Sequence, residues 1–275
     1  MLKFFLLSFG LVLLLQLRAA AQDTTWCDVR WHKTAPDKAM YFRLKTKTDS
    51  GWVVADHFRS GVPFRAGRYL DDSLTVKQGQ FRWYDEKGNL VDICEFSGGK
   101  ANGPEVLYYE SGREQAKGSY RDSLREGPWI GYYPSGKLAG TAFYRAGKET
   151  DVVLYNEDGS RKTADTIFMR DSEYPGGMQK YLRLIKRELR YPRLAYKHKI
   201  EGTVVVKFKV GRDGVISEQQ VVQSVSPDLD AEALRVMRKM PDWNPAIVAG
   251  IHRDGYKLQP VEFKYTQYDP YTSMK

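Results

Sequence analysis

The chain has little cysteine and little histidine. Its 275 residues contain two cysteines, Cys27 and Cys94, and four histidines. Two cysteines exclude the dense disulfide framework of a small secreted scaffold. The histidines are scattered, so the residue types that hold zinc do not cluster, and we predict no metal site. The two cysteines could pair in an oxidising compartment, and the sequence leaves that pairing open.

Catalytic motifs are missing as well. The sequence has no nucleophile elbow, no phosphate-binding loop and no histidines at metal-ligand spacing. Its acidic motifs have structural interpretations. Asp213 precedes Gly214 in a turn, while Asp230 and Glu232 fall in the first turn of a helix, where the helix dipole favours negative charge. We therefore predict that the protein is not an enzyme and uses no cofactor.

Long apolar runs are restricted to the N-terminus. Lys3 precedes an almost wholly apolar run at 4–17, and small residues follow at 19–21. This pattern is typical of a secretory signal over residues 1–21. The run is shorter than the ~20 residues that a membrane-spanning helix needs. We expect a periplasmic protein if the signal is cleaved before Gln22, and an inner-membrane anchor if it is not.

Positive charge is concentrated toward the C-terminus. Residues 166–275 hold 19 Lys/Arg against 13 Asp/Glu, whereas residues 22–165 hold 22 against 21. This bias suits an acidic partner or an anionic surface, and it equally suits a solvated face. Clustered basic residues with aromatic stacking motifs are absent, so we predict no nucleic-acid partner.

The middle of the chain is a repeat array. Three series of residues recur at intervals of 23 or 24: Gly88, Gly112, Gly136 and Gly159; Gly79, Gly103 and Gly127; Phe96, Tyr120 and Tyr144. Self-similarity at such a period indicates stacked structural repeats. Each unit predicts a β-hairpin, because glycine supplies the positive φ of a tight turn and aromatic residues fill the strand faces. One hairpin is marginal in water, so neighbours must stack.

These units resemble MORN-type repeats in their tyrosine–glycine turns and Gly-x-Trp strands. Three copies are clear at 79–150, a partial copy follows at 151–162, and a degenerate copy precedes them at 52–72. We assign the repeat region to residues 22–165 and expect a linker at 166–173. The resemblance implies either a surface that contacts protein or lipid, or a passive spacer.

The last part of the chain predicts two main helices, one short helix and three strands. Met178, Tyr181, Leu182, Ile185 and Leu189 recur at helical spacing. A short helix at 193–197 precedes a hairpin, 203–225, that turns at Asp213-Gly214. Ser226 and Pro227 begin the next helix, whose apolar stripe contains Leu229, Ala233, Val236, Met237 and Met240. A strand at 256–265 follows.

The predicted fold class is therefore an α+β domain after an all-β array of stacked hairpins. In the C-terminal domain, residues 174–265, two helices cover one face of a small antiparallel sheet. Residues 266–275 form a tail.

An ordered string of motifs identifies this domain's resemblance. It reads Gly-x-Val-x-Val-x-Phe-x-Val-x-x-Asp-Gly, then Leu-Asp-x-Glu-Ala, then Met-Pro-x-Trp-x-Pro, then Pro-Val-x-Phe. With Tyr191-Pro192 before it, this string is similar to the C-terminal domain of TonB-family proteins. MORN-like repeats ahead of that domain resemble TonB-family proteins of the Bacteroidetes type.

The resemblance implies a binding mechanism. TonB domains bind the TonB box, an extended segment of an outer-membrane receptor, as an added strand at a sheet edge. The strand at 256–265 is our candidate edge, and Pro260 supports this position because proline cannot donate to an inner ladder. The expected partner-binding residues are Leu189, Arg190, Tyr191, Tyr256, Lys257, Leu258, Gln259, Val261 and Phe263.

Two functions stay open on the sequence. A transducer would also engage an inner-membrane proton-driven motor, which requires an uncleaved signal as the anchor. The alternative is a cell-envelope scaffold that binds protein without transducing energy. The chain has no proline-rich tract of the kind that lets a transducer span the periplasm.

Overall fold

A computed structural model describes residues 24–163 and 167–265. The predicted signal, 1–21, and the predicted tail, 266–275, lie outside these residues. The chain divides into two compact units, and the boundary in the sequence falls between Phe168 and Met169.

The first unit is one antiparallel sheet of eleven strands in which each strand pairs with the next along the chain. The strands are β1 (Thr25–Cys27), β2 (Tyr41–Thr48), β3 (Gly51–Phe58), β4 (Pro63–Tyr69), β5 (Lys77–Tyr84), β6 (Leu90–Ser97), β7 (Lys100–Tyr108), β8 (Glu114–Arg121), β9 (Leu124–Tyr132), β10 (Leu138–Arg145) and β11 (Lys148–Leu154). The predicted stacked-hairpin array is confirmed. It begins earlier than the degenerate copy at 52–72, because β1 and β2 precede that copy.

The periodic glycines sit at the hairpin turns. Gly88, Gly112, Gly136 and Gly159 have φ of 88°, 76°, 89° and 92°. At the β9–β10 turn, for example, the N–H of Gly136 donates to the carbonyl of Tyr133 at 2.8 Å. An L side chain is strained at such φ values, so the turn requires glycine. The 24-residue period is therefore a period of turns.

Aromatic rings fill one face of the array. Phe81 and Trp129 are fully buried. Gly118 has no side chain because a Cβ there would lie 2.2 Å from the Trp129 ring. Tyr120 and Tyr144 meet that indole edge-on, with centroids at 5.7 and 6.0 Å. These contacts bury the apolar area that a lone hairpin would leave in water.

The N-terminal strands add a buried ion-pair cluster. The Asp56 carboxylate is fully buried and accepts hydrogen bonds from the guanidinium groups of Arg43, at 2.6 Å, and Arg65, at 2.5 Å. Two cations on one buried carboxylate satisfy its charge inside the sheet. Cys27 and Cys94 are both buried free thiols, so the pairing that the sequence left open does not occur in this structure.

The second unit packs helices against a small sheet. Helices α1 (Gly177–Glu188), α2 (Arg193–Lys197) and α3 (Pro227–Met237) accompany a three-stranded antiparallel sheet of β13 (Gly202–Val210), β14 (Ile216–Gln223) and β17 (Gly255–Phe263). The strand order is β14–β13–β17. A second sheet joins β12 (Met169–Arg170), β15 (Ala246–Val248) and β16 (Ile251–Arg253) in the order β12–β15–β16. The α+β class is confirmed, and the second sheet was not predicted.

The core of this unit is built on one face of β13. Val204, Val206, Phe208 and Val210 of β13 are fully buried, and they join Leu229, Ala233 and Met237 of α3 in one hydrophobic cluster. Trp243 meets Phe208 edge-on at 5.2 Å between ring centroids. The Ser226 side chain caps α3 by accepting from the N–H of Leu229 at 3.4 Å, and Pro227 is its first residue.

Two expectations differ from the structure. The predicted apolar stripe of α1 is only partly covered: Tyr181 is buried, whereas Met178 and Leu182 are 64% and 50% exposed. Residues 166–173 were expected to form a linker. In their described part, Met169–Arg170 pairs with β15, and Glu173 pairs with Asn244. Main-chain pairing with a segment more than 70 residues away cannot be read from local polarity.

Candidate functional site

The site is built on strand β17, which has a strand partner on one side only. Gly255–Phe263 pairs antiparallel with β13 through nine consecutive residue pairs and no register shift. Among the described residues, no strand pairs with its other side. That side presents main-chain N–H and C=O groups in a continuous row, the template that an added strand requires.

Pro260 indicates which main-chain groups face outward. In an antiparallel ladder, pairs that exchange two hydrogen bonds alternate with pairs that exchange none. Pro260 has no N–H, so its pair with Val205 belongs to the second kind. Tyr256, Leu258 and Glu262 share its orientation, and their main-chain groups therefore point to the open side. The Pro260 carbonyl accepts from Nε2 of Gln259 at 3.3 Å, as expected for an oxygen that β13 does not use.

The side chains of β17 alternate between two surroundings. Val261 and Phe263 are 1% exposed and belong to the hydrophobic core. Tyr256 and Leu258 are 55% and 36% exposed. Lys257 and Gln259 are half-buried. An added strand would therefore meet exposed side chains from one face of the sheet, while the buried residues only hold β17 in place.

Polar contacts hold Tyr256 across the sheet. Its hydroxyl donates to Oε2 of Glu218 on β14 at 2.7 Å, and the Lys207 ammonium lies 4.6 Å from the centre of its ring. Lys207 itself is buried. Sequence analysis missed Glu218 and Lys207, because they reach Tyr256 only through the order of the three strands.

The segment at 189–191 meets β17 through a core contact. Tyr191 is 9% exposed, its ring lies edge-on to Phe263 with centroids 5.8 Å apart, and its hydroxyl donates to the Ile200 carbonyl at 2.6 Å. Leu189 packs against the same core. The structure thus brings this segment and β17 together through their packing side chains.

Arg190 has a different position. Its main-chain N–H donates to Oε1 of Glu232 at 2.7 Å, and the residue is exposed. Of the three residues predicted before Pro192, only Arg190 presents its side chain to solvent. The side chains of Tyr191, Val261 and Phe263 are buried in the hydrophobic core.

The described residues contain no group of three His, Cys, Asp or Glu side chains placed to hold a metal ion. Within the same residues, no helix has the length and apolar character of a membrane span.

Comparisons with known proteins agree with this geometry. Residues 187–265 match the family described as Gram-negative bacterial TonB protein C-terminal, and residues 125–146 match a MORN repeat variant. No curated protein matches the chain. One solved structure with similarity is a GtfA/B complex bound to UDP and GlcNAc, at 14% identity and a TM-score of 0.19. The match covers 43% of this chain and 22% of that one, and a TM-score this low carries no argument.

Fold and site define a small α+β domain with an open sheet edge, carried behind an array of β-hairpins. Two segments of the chain are thus similar to known families: residues 187–265 to the TonB C-terminal domain, and residues 125–146 to a MORN repeat variant.

Proposed function

We propose that the second unit binds an extended segment of an outer-membrane receptor, its TonB box, by strand addition to β17. The unpaired outer side of Gly255–Phe263 carries this proposal, because the strand runs without a register shift and the main-chain groups of Tyr256, Leu258 and Glu262 face outward. Main-chain pairing supplies affinity, and the exposed Tyr256 and Leu258 supply selectivity.

The chemistry of the edge suits a pulling module. In an antiparallel pair the hydrogen bonds run perpendicular to the strands, so a force that pulls along one strand acts on all of these bonds together. The outward main-chain N–H and C=O groups of β17 are uncharged, so the bound receptor segment needs an extended conformation more than a particular charge. Arg190 is exposed beyond the core contact of Tyr191 and is the charged side chain that we assign to the rim of this site.

We place the protein in the periplasm, where receptor segments of this kind are exposed. In this proposal the hairpin array is a spacer or a second contact surface. Energy transduction additionally requires an uncleaved N-terminus that engages an inner-membrane motor. N-terminal sequencing of the exported chain tests energy transduction. A start at Met1 supports a transducer, and a start at Gln22 supports a protein that binds receptors without transducing energy.

Leu258→Pro tests strand addition directly. This change removes an outward N–H at a position that donates nothing to β13, so β17 should stay folded while the guest strand loses one hydrogen bond. We expect affinity for TonB-box peptides to fall roughly five- to tenfold, the equivalent of about 1 kcal/mol. Titration calorimetry and amide shifts of residues 255–263 measure the effect.

Leu258→Val is the matched control, because it shortens the side chain and keeps the N–H. It should retain most of the binding. If a panel of receptor peptides leaves the β17 amides of the unmodified chain unperturbed, strand addition is wrong. The non-transducing envelope scaffold, in which the array makes the main contacts, would then be favoured.

A further inference from the structure

The net positive charge of the C-terminal part comes from one short segment. Residues 177–199, which we name the basic segment, hold eight Lys/Arg and one Asp/Glu. The remaining residues of 166–275 hold eleven and twelve. The rest of the unit is therefore close to neutral, and the charge bias lies on α1, α2 and the turn between them.

The one acidic residue of the basic segment is already neutralised. The Glu188 carboxylate pairs with Arg187 at 2.8 Å and with Lys239, which follows α3, at 2.7 Å. Hydrogen bonds from Lys239 and Arg187 lower the pKa of Glu188 to about 2. Within the described chain, no carboxylate lies at ion-pair distance from Lys180, Arg183 or Lys186. These cations are available to an outside anion.

Helix α1 adds exposed apolar groups beside those cations. Its inner side carries Tyr181 and Leu184, which are 4% and 8% exposed. Met178 and Leu182 stand one helical turn apart on an outer flank, at 64% and 50% exposure. Lys186 continues their row by another turn, and Arg183 adjoins it. The outer flank of α1 is thus two aliphatic side chains bordered by cations.

We propose that this outer flank, Met178, Leu182, Arg183 and Lys186, docks on an anionic lipid surface. Helices that lie in a bilayer interface combine the same two features, an apolar stripe and a Lys/Arg-rich border. Cations are drawn to anionic headgroups, and short aliphatic side chains enter the headgroup boundary. This docking does not depend on peptide binding at β17.

An acidic protein is the competing occupant, and the surface fits it less well. A stable protein interface buries about 800 Å² on each partner and is anchored by aromatic residues. The outer flank offers two aliphatic side chains on a convex helix and no aromatic residue. A lipid surface needs no matching groove, and it accepts cations that are spread around α1 and on to Arg193 and Lys197.

The experiment is co-sedimentation of the chain from Gln22 onward, the form left by the predicted cleavage, with lipid vesicles. Vesicles of phosphatidylcholine alone are compared with vesicles that also contain phosphatidylglycerol. We expect binding to the mixed vesicles only, weakening as salt is added. Arg183→Glu should reduce the affinity roughly tenfold or more, because a charge near the surface is reversed.

Two matched controls separate surface docking from general effects. Arg238→Glu makes the same charge change at an exposed arginine of α3's C-terminal end, and it should leave binding within about twofold of the unmodified chain, since it lies outside the basic segment. Leu182→Ser should weaken binding at constant charge, whereas Val215→Ser, at an apolar residue 46% exposed in another turn, should not.

Three results would overturn the proposal. Equal binding to both kinds of vesicle would exclude a charge-driven contact. Equal losses in Arg183→Glu and Arg238→Glu would exclude the outer flank as its location. Absence of vesicle binding, together with capture of the chain by polyglutamate, would assign the flank to an acidic protein.

Discussion

One repeat carries a half-buried glutamate, Glu105, where its neighbours carry a buried aromatic residue. Phe81 and Trp129 lie 48 residues apart, and Glu105 occupies the position halfway between them. In the series Gly79, Gly103 and Gly127, the residues two positions earlier are Lys77, Ala101 and Arg125. Lys77 and Arg125 place their cations against aromatic rings. The middle repeat therefore lacks both the ring and the cation of its neighbours.

Groups on three other strands, β6, β8 and β9, lie near this glutamate. Cys94 is its direct partner on β6, and Asp92 lies two residues further along that strand. Burial raises the pKa of Glu105 to about 7, while the nearby Arg125 and a hydrogen bond with Tyr120 oppose the rise. Burial also raises the pKa of Asp92 to about 7, and the charge of Glu105 adds to this effect, against Lys77.

The stability of the array should therefore depend on pH. Both pKa values are above those of an unfolded chain, so the folded array binds protons more tightly. The free energy of unfolding should rise by several kcal/mol as the pH falls from above 7 toward about 4. Urea unfolding monitored by tryptophan fluorescence at several pH values measures it.

Glu105→Gln should weaken this pH dependence, because glutamine is uncharged at every pH and binds no proton. The contribution of Asp92 should remain. Glu110→Gln is the control, at a side chain 66% exposed in a nearby turn, and it should keep the dependence. Stability that falls between pH 7 and 5 in the unmodified array would contradict the assignment.

At the scale of the element, neighbouring hairpins are joined by tyrosine hydroxyls as well as by strand pairing. The Tyr109 hydroxyl donates to the Tyr132 carbonyl at 2.7 Å, and the Tyr133 hydroxyl donates to the Tyr155 carbonyl at 2.8 Å. Each donor precedes a turn glycine by three residues, and each acceptor belongs to the next repeat. The pattern explains why tyrosine, rather than phenylalanine, occupies these turns.

Tyr133→Phe should destabilise the array by about 1 kcal/mol, because it removes one partly buried hydrogen bond and keeps the ring. Tyr109→Phe should behave alike. The two bonds share no partner, so the double variant should lose close to the sum. Thermal unfolding followed by circular dichroism gives these values. Unchanged midpoints would show that water replaces the lost hydroxyl at no cost.

At the scale of the whole molecule, the second unit has a hydrophobic core of its own. The cluster around Val206, Phe208, Leu229 and Trp243 draws every member from the second unit. The array buries Phe81 and Trp129 among its own strands. A domain with its own core can fold alone.

Residues 167–265 should therefore fold as an isolated fragment. We expect a cooperative thermal transition and dispersed amide signals, with Trp243 reporting on the core through its contact with Phe208. Phe208→Ala provides the control, since loss of a buried ring costs about 3–5 kcal/mol and should abolish the transition. A fragment without a transition would show that the core needs the array.

Local chemistry in the sequence was sufficient for much of this fold. Glycine spacing predicted the turns, because only glycine adopts those φ values without strain. Alternation along 203–210 predicted the buried face of β13. Ser226 and Pro227 predicted the start of α3, and Pro260 predicted an edge strand.

The sequence did not show which distant segments pack together. Helical periodicity placed Met178 and Leu182 on one stripe with Tyr181, but it does not show how much of that stripe a neighbour covers. The burial of Glu105 depends on strands β6 and β8, and the contact of Glu218 with Tyr256 depends on the order of three strands.

The sequence by itself determined where this chain turns, which strand faces are apolar and where the basic residues cluster. These features arise from local backbone preference and from side-chain solvation, which act over a few residues. Only the tertiary structure decided which side of β17 stays open, which carboxyls are buried and which flank of α1 reaches solvent. Each of these depends on which distant segments pack together, because exposure is a property of neighbours in space.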